Sequence, residues 1–345
     1  MQWAILLGVV ALSGVIYSLA VYGERPFIGA AFALFICLPL IALEQRMIMP
    51  RFSDWLHSLS TPAYFVTSAA VYYLTIFAGF AAAGTLLKSI GLIEGPWRDT
   101  LLLPWEVVVY SFAVAGGINF VLRVRELLGR DIFTSLLTGR YRKPVQEERV
   151  FLFIDLVGST AFAARHGDLR TQQFLGTLFK VLAEPVRRHR GAIDDYIGDA
   201  VIITWPLKRG VADARCVRCV FDIMAEIETR SALWNGTFGQ TPRLRAALHG
   251  GEIVTAEIGV DHHKIAYFGD TVNTTARLES LCRSLERSVL ISQDLADRLA
   301  MPEHIEMESL GDHALRGRGQ PLGVLALSDR RRSSGGVIPF SKPAA

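Results

Sequence analysis

Val150-Phe-Leu-Phe-Ile-Asp155-Leu-Val-Gly158-Ser-Thr160 is the stretch that decides the fold of the second half of this chain. The apolar run from Val150 to Ile154 predicts a strand that is buried on both faces. Asp155 closes this run, and the residues after it predict a tight turn that enters a helix. Backbone N–H groups at the start of a helix can bind phosphate, since that end carries partial positive charge. The stretch therefore predicts a carboxylate beside an anion-binding turn.

A second aspartate lies in Asp194-Asp-Tyr-Ile-Gly198-Asp199-Ala-Val-Ile-Ile-Thr-Trp205. Strand-like runs flank Gly198, so we expect a hairpin with Asp199 at its turn. Mg²⁺ prefers carboxylate oxygens and keeps phosphate oxygens and waters as its other ligands. Two carboxylates brought together from separate strands, Asp155 and Asp199, could hold two such ions. A two-ion site stabilises both the attacking and the leaving oxygen of a phosphoryl transfer.

The third motif reads Phe268-Gly-Asp-Thr-Val-Asn273-Thr-Thr-Ala-Arg277-Leu-Glu279 and predicts a helix after a short strand. Asn273 and Arg277 are four residues apart, so they project from one face of that helix. The planar guanidinium group matches the geometry of phosphate oxygens. Arg277 is therefore a candidate to reach charge that develops on phosphorus.

At these residues the chain resembles the class III nucleotidyl cyclases, which convert ATP to cyclic AMP or GTP to cyclic GMP. The resemblance covers about residues 146–328. It rests on Phe-x-Asp-x-x-x-Ser-Thr, Ile-Gly-Asp-Ala, His-Gly-Gly and Gly-Asp-Thr-Val-Asn-x-x-x-Arg-Leu-Glu, in that order. Strand patterns interleaved with helices and hairpins independently favour an α+β domain. The resemblance implies that this domain has a ferredoxin-like βαββαβ core with extra strands.

The resemblance also implies a role for each candidate residue. Asp155 and Asp199 match metal-binding aspartates, with the Leu156 carbonyl as a further ligand to two Mg²⁺ or Mn²⁺ ions. Asn273 matches the residue that orients the ribose, and Arg277 the one that stabilises the transition state. The terminal phosphates would be held by the backbone of Val157, Gly158, Ser159 and Thr160 together with Arg316, which stands where the family usually has a lysine.

The same resemblance implies an assembly and a reaction. In the family, one subunit of a dimer supplies the metal-binding aspartates and the other supplies the asparagine and arginine. This chain carries one complete set, so we expect a homodimer with two equivalent sites. The ribose 3′-oxygen would attack the α-phosphorus and release pyrophosphate.

The positions that read the base depart from the family pattern. Asp195 falls where adenylyl cyclases usually have a lysine, and Ala266 where they usually have aspartate or threonine. A carboxylate can accept a hydrogen bond from the adenine amino group or from guanine N–H groups, and alanine reads neither. We favour ATP as the substrate, because bacterial members with this membrane layout mostly resemble adenylyl cyclases. GTP is the alternative.

The first third of the chain is much more apolar than the rest. Of all residues, 51% are hydrophobic and 20% are charged, slightly below the usual ~25%. The long apolar stretches are 3–22, 27–43, 62–87 and 101–122. A membrane-spanning helix needs about 20 apolar residues, so the pattern predicts four spans. The alternatives are core helices of a soluble domain, or a signal peptide over 1–22. No Lys or Arg precedes the first apolar run and three spans follow it, which argues against a signal peptide.

Basic residues in the loops predict the orientation of the four spans. Arginines follow the second and fourth spans at positions 46, 51, 123, 125 and 130, whereas the other two loops carry Arg25, Lys88 and Arg98. The positive-inside rule then favours both termini in the cytoplasm, with the protein in the inner (plasma) membrane and the lipid bilayer as a partner. The net charge of only +3 predicts no nucleic-acid partner.

Composition divides the chain into four parts. We expect a transmembrane domain over 1–122, a coupling linker over 123–148, a catalytic domain over 149–328 and a disordered tail over 329–345. The linker is either a solvated connector or an element that pairs with its copy in a dimer. Within the catalytic domain we expect helices over 168–189, 209–233 and 270–285, and a hairpin of strands 243–250 and 252–259 across His249-Gly-Gly251.

Three other features bear on function. Cys216 and Cys219 form a Cys-x-x-Cys without a second pair, so we interpret them as packing residues rather than as a redox or zinc site. A membrane receptor whose cyclase-like domain only binds nucleotide is an alternative function, but the sequence lacks none of the metal aspartates or the arginine. A transporter or channel is disfavoured, because the predicted spans hold a single charge, Glu106.

Overall fold

The computed structural model describes residues 2–21, 23, 25–45, 47–57, 59–97, 102–128, 138–259, 264–315 and 317–333. The chain forms two compact units, Met1–Gly129 and Arg130–Ala345. The predicted linker includes the end of one helix in the first unit and the start of one strand in the second. Residues 129–137 between them, and residues 334–345 of the predicted tail, lie outside the described residues.

The first unit is helical. Its described helices are α1 (Gln2–Val21), α2 (Pro26–Glu44), α3 (Pro50–His57), α4 (Thr61–Ser89) and α5 (Trp105–Leu128). In the described part of the chain, four of them contain windows long and apolar enough to cross a membrane: Ala4–Val21, Pro26–Glu44, Val66–Ser89 and Trp105–Leu122. The four predicted apolar helices are thus present. The sequence did not predict α3, and α5 continues past residue 122 into the predicted linker.

The surface of this unit is apolar on each of the four long helices. Ile5 is 62% exposed, Leu74 63% and Phe120 69%, and Phe27 is exposed as well. A water-soluble helical domain seldom exposes large apolar side chains along every helix. In a bilayer these side chains would contact lipid, and each helix would satisfy its own backbone hydrogen bonds.

Two glycines set the distance between α1 and α2. A Cβ added at Gly14 would collide with the backbone of Gly29, and a Cβ added at Gly29 would collide with Gly14. Small residues at such crossings let helix backbones approach closely, which is how apolar helices gain packing in lipid.

The second unit alternates strands and helices. Its elements are β1 (Val145–Leu156), α6 (Ser159–Arg188), β2 (Ala192–Ile197), β3 (Ala200–Pro206), α7 (Leu207–Val211), a 3₁₀ turn (Ala212–Ala214), α8 (Arg215–Thr229), α9 (Ser231–Phe238), β4 (Leu244–Ile258), β5 (Lys264–Phe268), α10 (Asp270–Ser284), β6 (Val289–Ser292), α11 (Gln293–Ala296), β7 (Ile305–His313), β8 (Leu322–Asp329) and α12 (Arg330–Ser333).

These strands form one mixed sheet in the order β2-β3-β1-β4-β6-β8-β7, and β5 pairs with the outer part of β4. The strand β1 is central, because it pairs antiparallel with both β3 and β4. Elements β1-α6-β2-β3-α8-β4 give the βαββαβ order of a ferredoxin-like core. The predicted fold class is therefore confirmed, and β5 to β8 are the extra strands.

The main core lies where α6 and α8 pack on the sheet. Phe174, Trp205 and Trp234 are fully buried in it. Cys216 and Cys219 belong to the same cluster, and both thiols are free. Burial raises the pKa of Cys216 to about 12, so this thiol stays protonated. The packing interpretation of the two cysteines is confirmed.

The predicted hairpin across His249-Gly-Gly251 is wrong. The strand β4 runs unbroken through it, and β1 pairs with it at Val150↔Gly250 and Arg149↔Gly251. The two glycines serve close packing instead of a turn. A Cβ at Gly250 would lie 3.1 Å from Leu295, and one at Gly251 would lie 2.8 Å from the Thr271 hydroxyl.

The helix boundaries also differ from the prediction in two places. The helix predicted over 168–189 starts earlier, because Ser159–Arg188 is one element with a break at Gly167 (φ 78°). The helix predicted over 209–233 is divided among α7, the 3₁₀ turn, α8 and α9. Asp213 and Ala214, both with positive φ, separate α7 from α8, and an uninterrupted helix cannot contain such residues.

Candidate active site

The sheet brings Asp155 and Asp199 to the same edge. β1 and β3 are antiparallel and pair up to Ile154↔Val201. Asp155, the next residue of β1, therefore comes level with the β2–β3 turn, which Gly198 forms with a φ of 61°. Both aspartates are half-buried. Burial and then the charge of Asp199 raise the pKa of Asp155, so the two carboxylates are close enough to repel.

Among the described residues, Arg245 is the cation within 4 Å of Asp155. Arg245 lies directly opposite it on β4, with Nη1 3.7 Å from Asp155 Oδ2. The Arg245 Nε is buried and makes no hydrogen bond. At 3.7 Å the ion pair is long, so the Asp155 carboxylate retains capacity for a cation. Sequence analysis missed Arg245, although its cross-strand position follows once β1 and β4 are paired.

The donor set fits a hard divalent cation that also binds phosphate. In the described ranges, no group of three or more His, Cys, Asp and Glu side chains is arranged to hold a metal ion. Mg²⁺ usually binds one or two carboxylates together with substrate phosphates, whereas Zn²⁺ or Ca²⁺ sites recruit more protein ligands. The two carboxylates of Asp155 and Asp199 therefore suit a cation such as Mg²⁺ whose other ligands are phosphate oxygens and waters.

A third acidic residue faces this pair. Glu279 on α10 is half-buried. Burial and then the charges of Asp155 and Asp199 raise its pKa, against the opposing charges of Arg245 and Arg283. Glu279 belongs to the third motif, but its residue type and spacing alone predict no role for it. Its place beside the aspartates depends on how α10 packs on the sheet.

The predicted phosphate-binding turn adjoins Asp155. Gly158 has a φ of 80° and open space at its Cα, and α6 begins at Ser159 without a side-chain cap. The first N–H groups of a helix have no acceptor within it, so the amides of Ser159 and Thr160 are free to bind an anion. The N–H of Val157 donates to the Arg243 carbonyl at 2.8 Å. Val157 therefore shapes the turn rather than offering its own N–H.

Asn273 and Arg277 share one face of α10. Asn273 is exposed. Arg277 is one-third exposed, but its Nη1 is buried without a hydrogen bond and lies 3.9 Å from Asp270 Oδ1. A Cβ at Gly317 would sit 3.3 Å from Arg277 Nη2, so the guanidinium lies against that turn. An arginine with a spare buried donor is suited to an incoming anion.

Arg316 lies outside the described residues. A second arginine close by was missed by sequence analysis. Arg318 Nε lies 3.7 Å from Asp270 Oδ2 and its Nη2 lies 3.5 Å from Asp294. Its Nη1 is buried and makes no hydrogen bond. Asp270 therefore lies within 4 Å of both Arg277 and Arg318.

Within one chain, α10 directs its two functional faces apart. Residues two apart on an α-helix project about 200° from each other. Glu279 faces Asp155 and Asp199, whereas Arg277 faces Asp270 and Gly317. The fold therefore places Asp155 and Asp199 on the Glu279 side of α10, and Asn273 and Arg277 on another side of the same helix.

Comparison with known proteins decides the family. The model of the adenylate and guanylate cyclase catalytic domain matches residues 142–326, more than half of the chain. The chain belongs to the class III adenylyl and guanylyl cyclase family. The predicted family is confirmed, and with it the prediction that the chain is an enzyme.

The relatives of this cyclase align with different lengths of its chain. It is 57% identical over 333 residues to Adenylate cyclase 2 of Rhizobium meliloti (strain 1021), covering 96% of this chain and 92% of that protein. It is 26% identical over 193 residues to Guanylate cyclase 2G of Rattus norvegicus, covering 54% of this chain and 17% of that protein. A bacterial light-regulated adenylyl cyclase shares the fold, with a TM-score of 0.51 at 17% identity over 62% of this chain and 63% of that one.

Asp195, one of the two residues that the sequence predicts to read the base, forms an ion pair in the structure. Asp195 on β2 lies 2.5 Å from the ammonium group of Lys264 on β5. Ala266 pairs with Ala256 on β4, and Lys264 shares its face of β5, since alternate strand residues point the same way. Sequence analysis missed Lys264, because the approach of β5 to β2 depends on the assembled sheet.

The His-Gly-Gly motif of the cyclase contains a buried neutral histidine. His249 Nδ1 lies 2.7 Å from the Ser292 hydroxyl. Burial, with help from Arg318 and against Asp294 and Asp270, lowers the pKa of His249 from 6.5 to about 4. Between pH 6.5 and about pH 4, His249 is therefore protonated in the unfolded chain but neutral in the folded chain. Stability is lost as pH falls through this window.

We expect the titration of His249 to lower the free energy of unfolding by about 2 kcal/mol as the pH falls from about 7 to about 5. A His249→Gln variant should lose that part of the pH dependence, even if it is less stable at neutral pH. Urea denaturation at both pH values, followed by tryptophan fluorescence, measures the difference. An equal loss of stability in both proteins would contradict the prediction.

Proposed function

We propose that this protein is a membrane-anchored adenylate cyclase that converts ATP to 3′,5′-cyclic AMP and pyrophosphate. One observation carries the proposal. The half-buried pair Asp155 and Asp199 lies beside the free amides of a helix start. A relative supports ATP as the substrate, because this chain is 57% identical over nearly its full length to a protein named Adenylate cyclase 2.

Asp155 and Asp199, with the carbonyl of Leu156, are the residues that would hold two Mg²⁺ or Mn²⁺ ions. When bound, such ions lower the pKa of a ribose hydroxyl and offset charge on phosphate oxygens. The ribose 3′-oxygen forms a bond to the α-phosphorus and loses its proton. The bond from that phosphorus to the β-phosphate oxygen breaks, and pyrophosphate leaves.

The remaining residues position the substrate and offset charge. The backbone of Gly158, Ser159 and Thr160, together with Arg316, binds the terminal phosphates. Asn273 hydrogen-bonds the ribose. The spare buried donor of Arg277 is directed to the α-phosphoryl oxygens, where negative charge develops.

The two halves of the site are joined by a second copy of the chain. The divergence of Arg277 and Glu279 on α10 supports this, because one chain cannot bring both halves to one nucleotide. An apolar face on the β4–β5 hairpin supports it as well. Val254 and Phe268 are cross-strand partners there and are 36% and 50% exposed, and Ile258 on the same face is 45% exposed. Such patches mark protein interfaces.

The four apolar helices would anchor the enzyme in the inner (plasma) membrane. Their length and their exposed apolar side chains support a bilayer environment. Loop arginines favour both termini on the cytoplasmic side, where ATP is available to the second unit.

Turnover by the purified full-length protein tests the proposal. ATP and GTP are offered separately with Mg²⁺ or Mn²⁺, and the cyclic products are separated by chromatography. We expect cyclic AMP from ATP. Cyclic GMP as the main product would identify a guanylate cyclase instead. Nucleotide binding without either product would favour the receptor alternative.

A further inference from the structure

Side chains from the four long helices of the first unit line a cavity of about 400 Å³. A cavity of this volume falls within the range of small-molecule binding sites. A liquid takes about 30 Å³ for each water-sized group, so the cavity can hold a molecule of about a dozen non-hydrogen atoms. All the residues that line it belong to the first unit, so it is separate from the candidate active site.

Aromatic rings from all four helices form two pairs along the walls of this cavity. The ring centroids of Tyr17 on α1 and Tyr110 on α5 are 4.5 Å apart. Those of Phe32 on α2 and Phe80 on α4 are 4.9 Å apart. A further ring gains by stacking on such pairs, and a rigid ring loses less freedom on binding than a flexible chain does. The walls therefore favour an aromatic ligand.

The hydroxyl groups of Tyr110 and Ser13 at this cavity can accept hydrogen bonds but have no proton left to donate. The Tyr110 hydroxyl donates to the Ser13 carbonyl at 2.7 Å, and the Ser13 hydroxyl donates to the Val10 carbonyl at 2.7 Å. A hydroxyl group has one proton and two lone pairs, so each of these two oxygens still has an acceptor function. A ligand that brings its own donor matches this wall.

One positive and one negative charge lie at the mouth of the cavity. Arg25 precedes α2, Glu94 lies in the turn after α4, and both residues are exposed. The Arg25 guanidinium donates to the Leu92 carbonyl at 3.4 Å, which joins the start of α2 to that turn. The other described residues that line the cavity are uncharged. Because burying an unpaired charge is costly, these walls favour a neutral ligand.

We propose that this cavity binds a small, neutral aromatic molecule that carries a hydroxyl group. The ring of the ligand packs against the Tyr17–Tyr110 and Phe32–Phe80 pairs, and its hydroxyl donates a hydrogen bond to the Tyr110 oxygen. The first unit is then a ligand-binding module in addition to an anchor. This binding does not depend on the cyclase reaction, because it uses residues of the first unit alone.

Binding of tritiated 1-naphthol to the full-length protein in lipid nanodiscs tests the proposal. Scintillation proximity measures it, and empty nanodiscs give the partition into lipid. Unlabelled 1-methylnaphthalene and 1-naphthoate are the competitors; the first replaces the hydroxyl by a methyl group of similar size, and the second carries a negative charge. We expect saturable binding of 1-naphthol that is about 3- to 10-fold tighter than that of 1-methylnaphthalene, the contribution of one hydrogen bond. Binding of 1-naphthoate should be weaker than that of 1-naphthol.

Val107→Trp places a large side chain in the cavity, and Val109→Trp is its matched control. Val107 lines the cavity and is 9% exposed, whereas Val109 on the same helix is 57% exposed. Because the indole ring competes with the ligand for space, Val107→Trp should weaken 1-naphthol binding by at least about tenfold. Val109→Trp should match the wild type.

Tyr110→Phe gives a test that leaves the cavity its size, with Tyr73→Phe as the matched control. Tyr73 on α4 is 50% exposed. Tyr110→Phe keeps the ring and removes the acceptor oxygen, so 1-naphthol should bind about 3- to 10-fold more weakly while 1-methylnaphthalene changes by less than about twofold. Neither ligand should bind differently to Tyr73→Phe.

Three outcomes would overturn the proposal. The first is no saturable binding of 1-naphthol above that of empty nanodiscs, which would mean that lipid fills the cavity. The second is tighter binding of 1-naphthoate than of 1-naphthol, which would make the mouth at Arg25 an anion site. The third is equal weakening of 1-naphthol and 1-methylnaphthalene in Tyr110→Phe, which would remove the hydrogen bond. None of these measurements requires cyclic AMP formation, so they stand apart from the test of the proposed function.

Discussion

Replacing Asp199 by alanine is expected to lower cyclic AMP formation by at least about 1,000-fold, equivalent to about 4 kcal/mol of transition-state stabilisation. The reason is the geometry at the sheet edge. Asp199 at the β2–β3 turn and Asp155 at the end of β1 are the two carboxylates that this edge brings together. With one of them gone, the remaining carboxylate and phosphate oxygens would have to hold the ions of the proposed site alone.

The thermal stability of Asp199→Ala shows whether a loss of activity comes from misfolding. The charge of Asp199 repels that of Asp155 and is one of the causes that raise the pKa of Asp155. Removing it should leave the thermal midpoint unchanged or slightly higher. Glu303→Ala, which removes an exposed carboxylate from a turn, is the matched control and should keep full activity. Activity of Asp199→Ala within about tenfold of the wild type would contradict the metal role.

Mn²⁺ binding in the presence of a nucleotide that cannot cyclise tests the metal role of Asp199 without measuring turnover. Water-proton relaxation should report weaker Mn²⁺ binding by Asp199→Ala in the presence of 3′-deoxy-ATP. The same measurement on Glu303→Ala should match the wild type. Unchanged Mn²⁺ binding in Asp199→Ala would place the metal on other ligands.

Parts of the site that depend on local pattern were predictable from the sequence. The strand ending at Asp155 and the turn at Asp199 each follow from an apolar run closed by a small or polar residue. The spacing of Asn273 and Arg277 follows from helical periodicity. Each of these features is fixed by residues close in sequence, so the sequence predicts it before the fold is known.

Other features depend on contacts between distant residues. The local sequence at Gly250 and Gly251 predicts a turn. The two glycines instead lie within one long strand, where Leu295 and Thr271 pack against them. Lys264 reaches Asp195 only through the assembled sheet and a bulge in β2. The bulge breaks the alternation on which strand predictions depend, so the sequence alone gave no signal for this pair.

Arg277→Ala is expected to lower turnover by about 100- to 1,000-fold, the usual effect of removing one preorganised donor to a transition state. In the structure this arginine is held by the Gly317 turn and keeps a buried Nη1 without a hydrogen bond. Removing it leaves Asp155 and Asp199 intact. The variant should therefore bind Mn²⁺ and 3′-deoxy-ATP about as well as the wild type, unlike Asp199→Ala.

Mixed dimers turn this variant into a test of how the site is assembled. Arg277→Ala and Asp155→Ala chains are co-expressed with different tags and purified through both; in the proposed arrangement, such mixed dimers have one site lacking both residues and one site intact. If the two halves come from different chains, such dimers should have about half of the wild-type activity, because one of two equivalent sites is restored.

The matched control pairs Asp155→Ala with Asp199→Ala. Both substitutions fall in the same half of the site, so every site in this mixed dimer lacks one metal aspartate and activity should stay near zero. Recovery in the first mixture and none in the second requires that Arg277 acts on the aspartates of the other chain, as the opposed directions of Arg277 and Glu279 on α10 imply. No recovery in either purified mixed dimer would mean that one chain assembles its own site, and α10 would then have to rotate or shift on binding nucleotide.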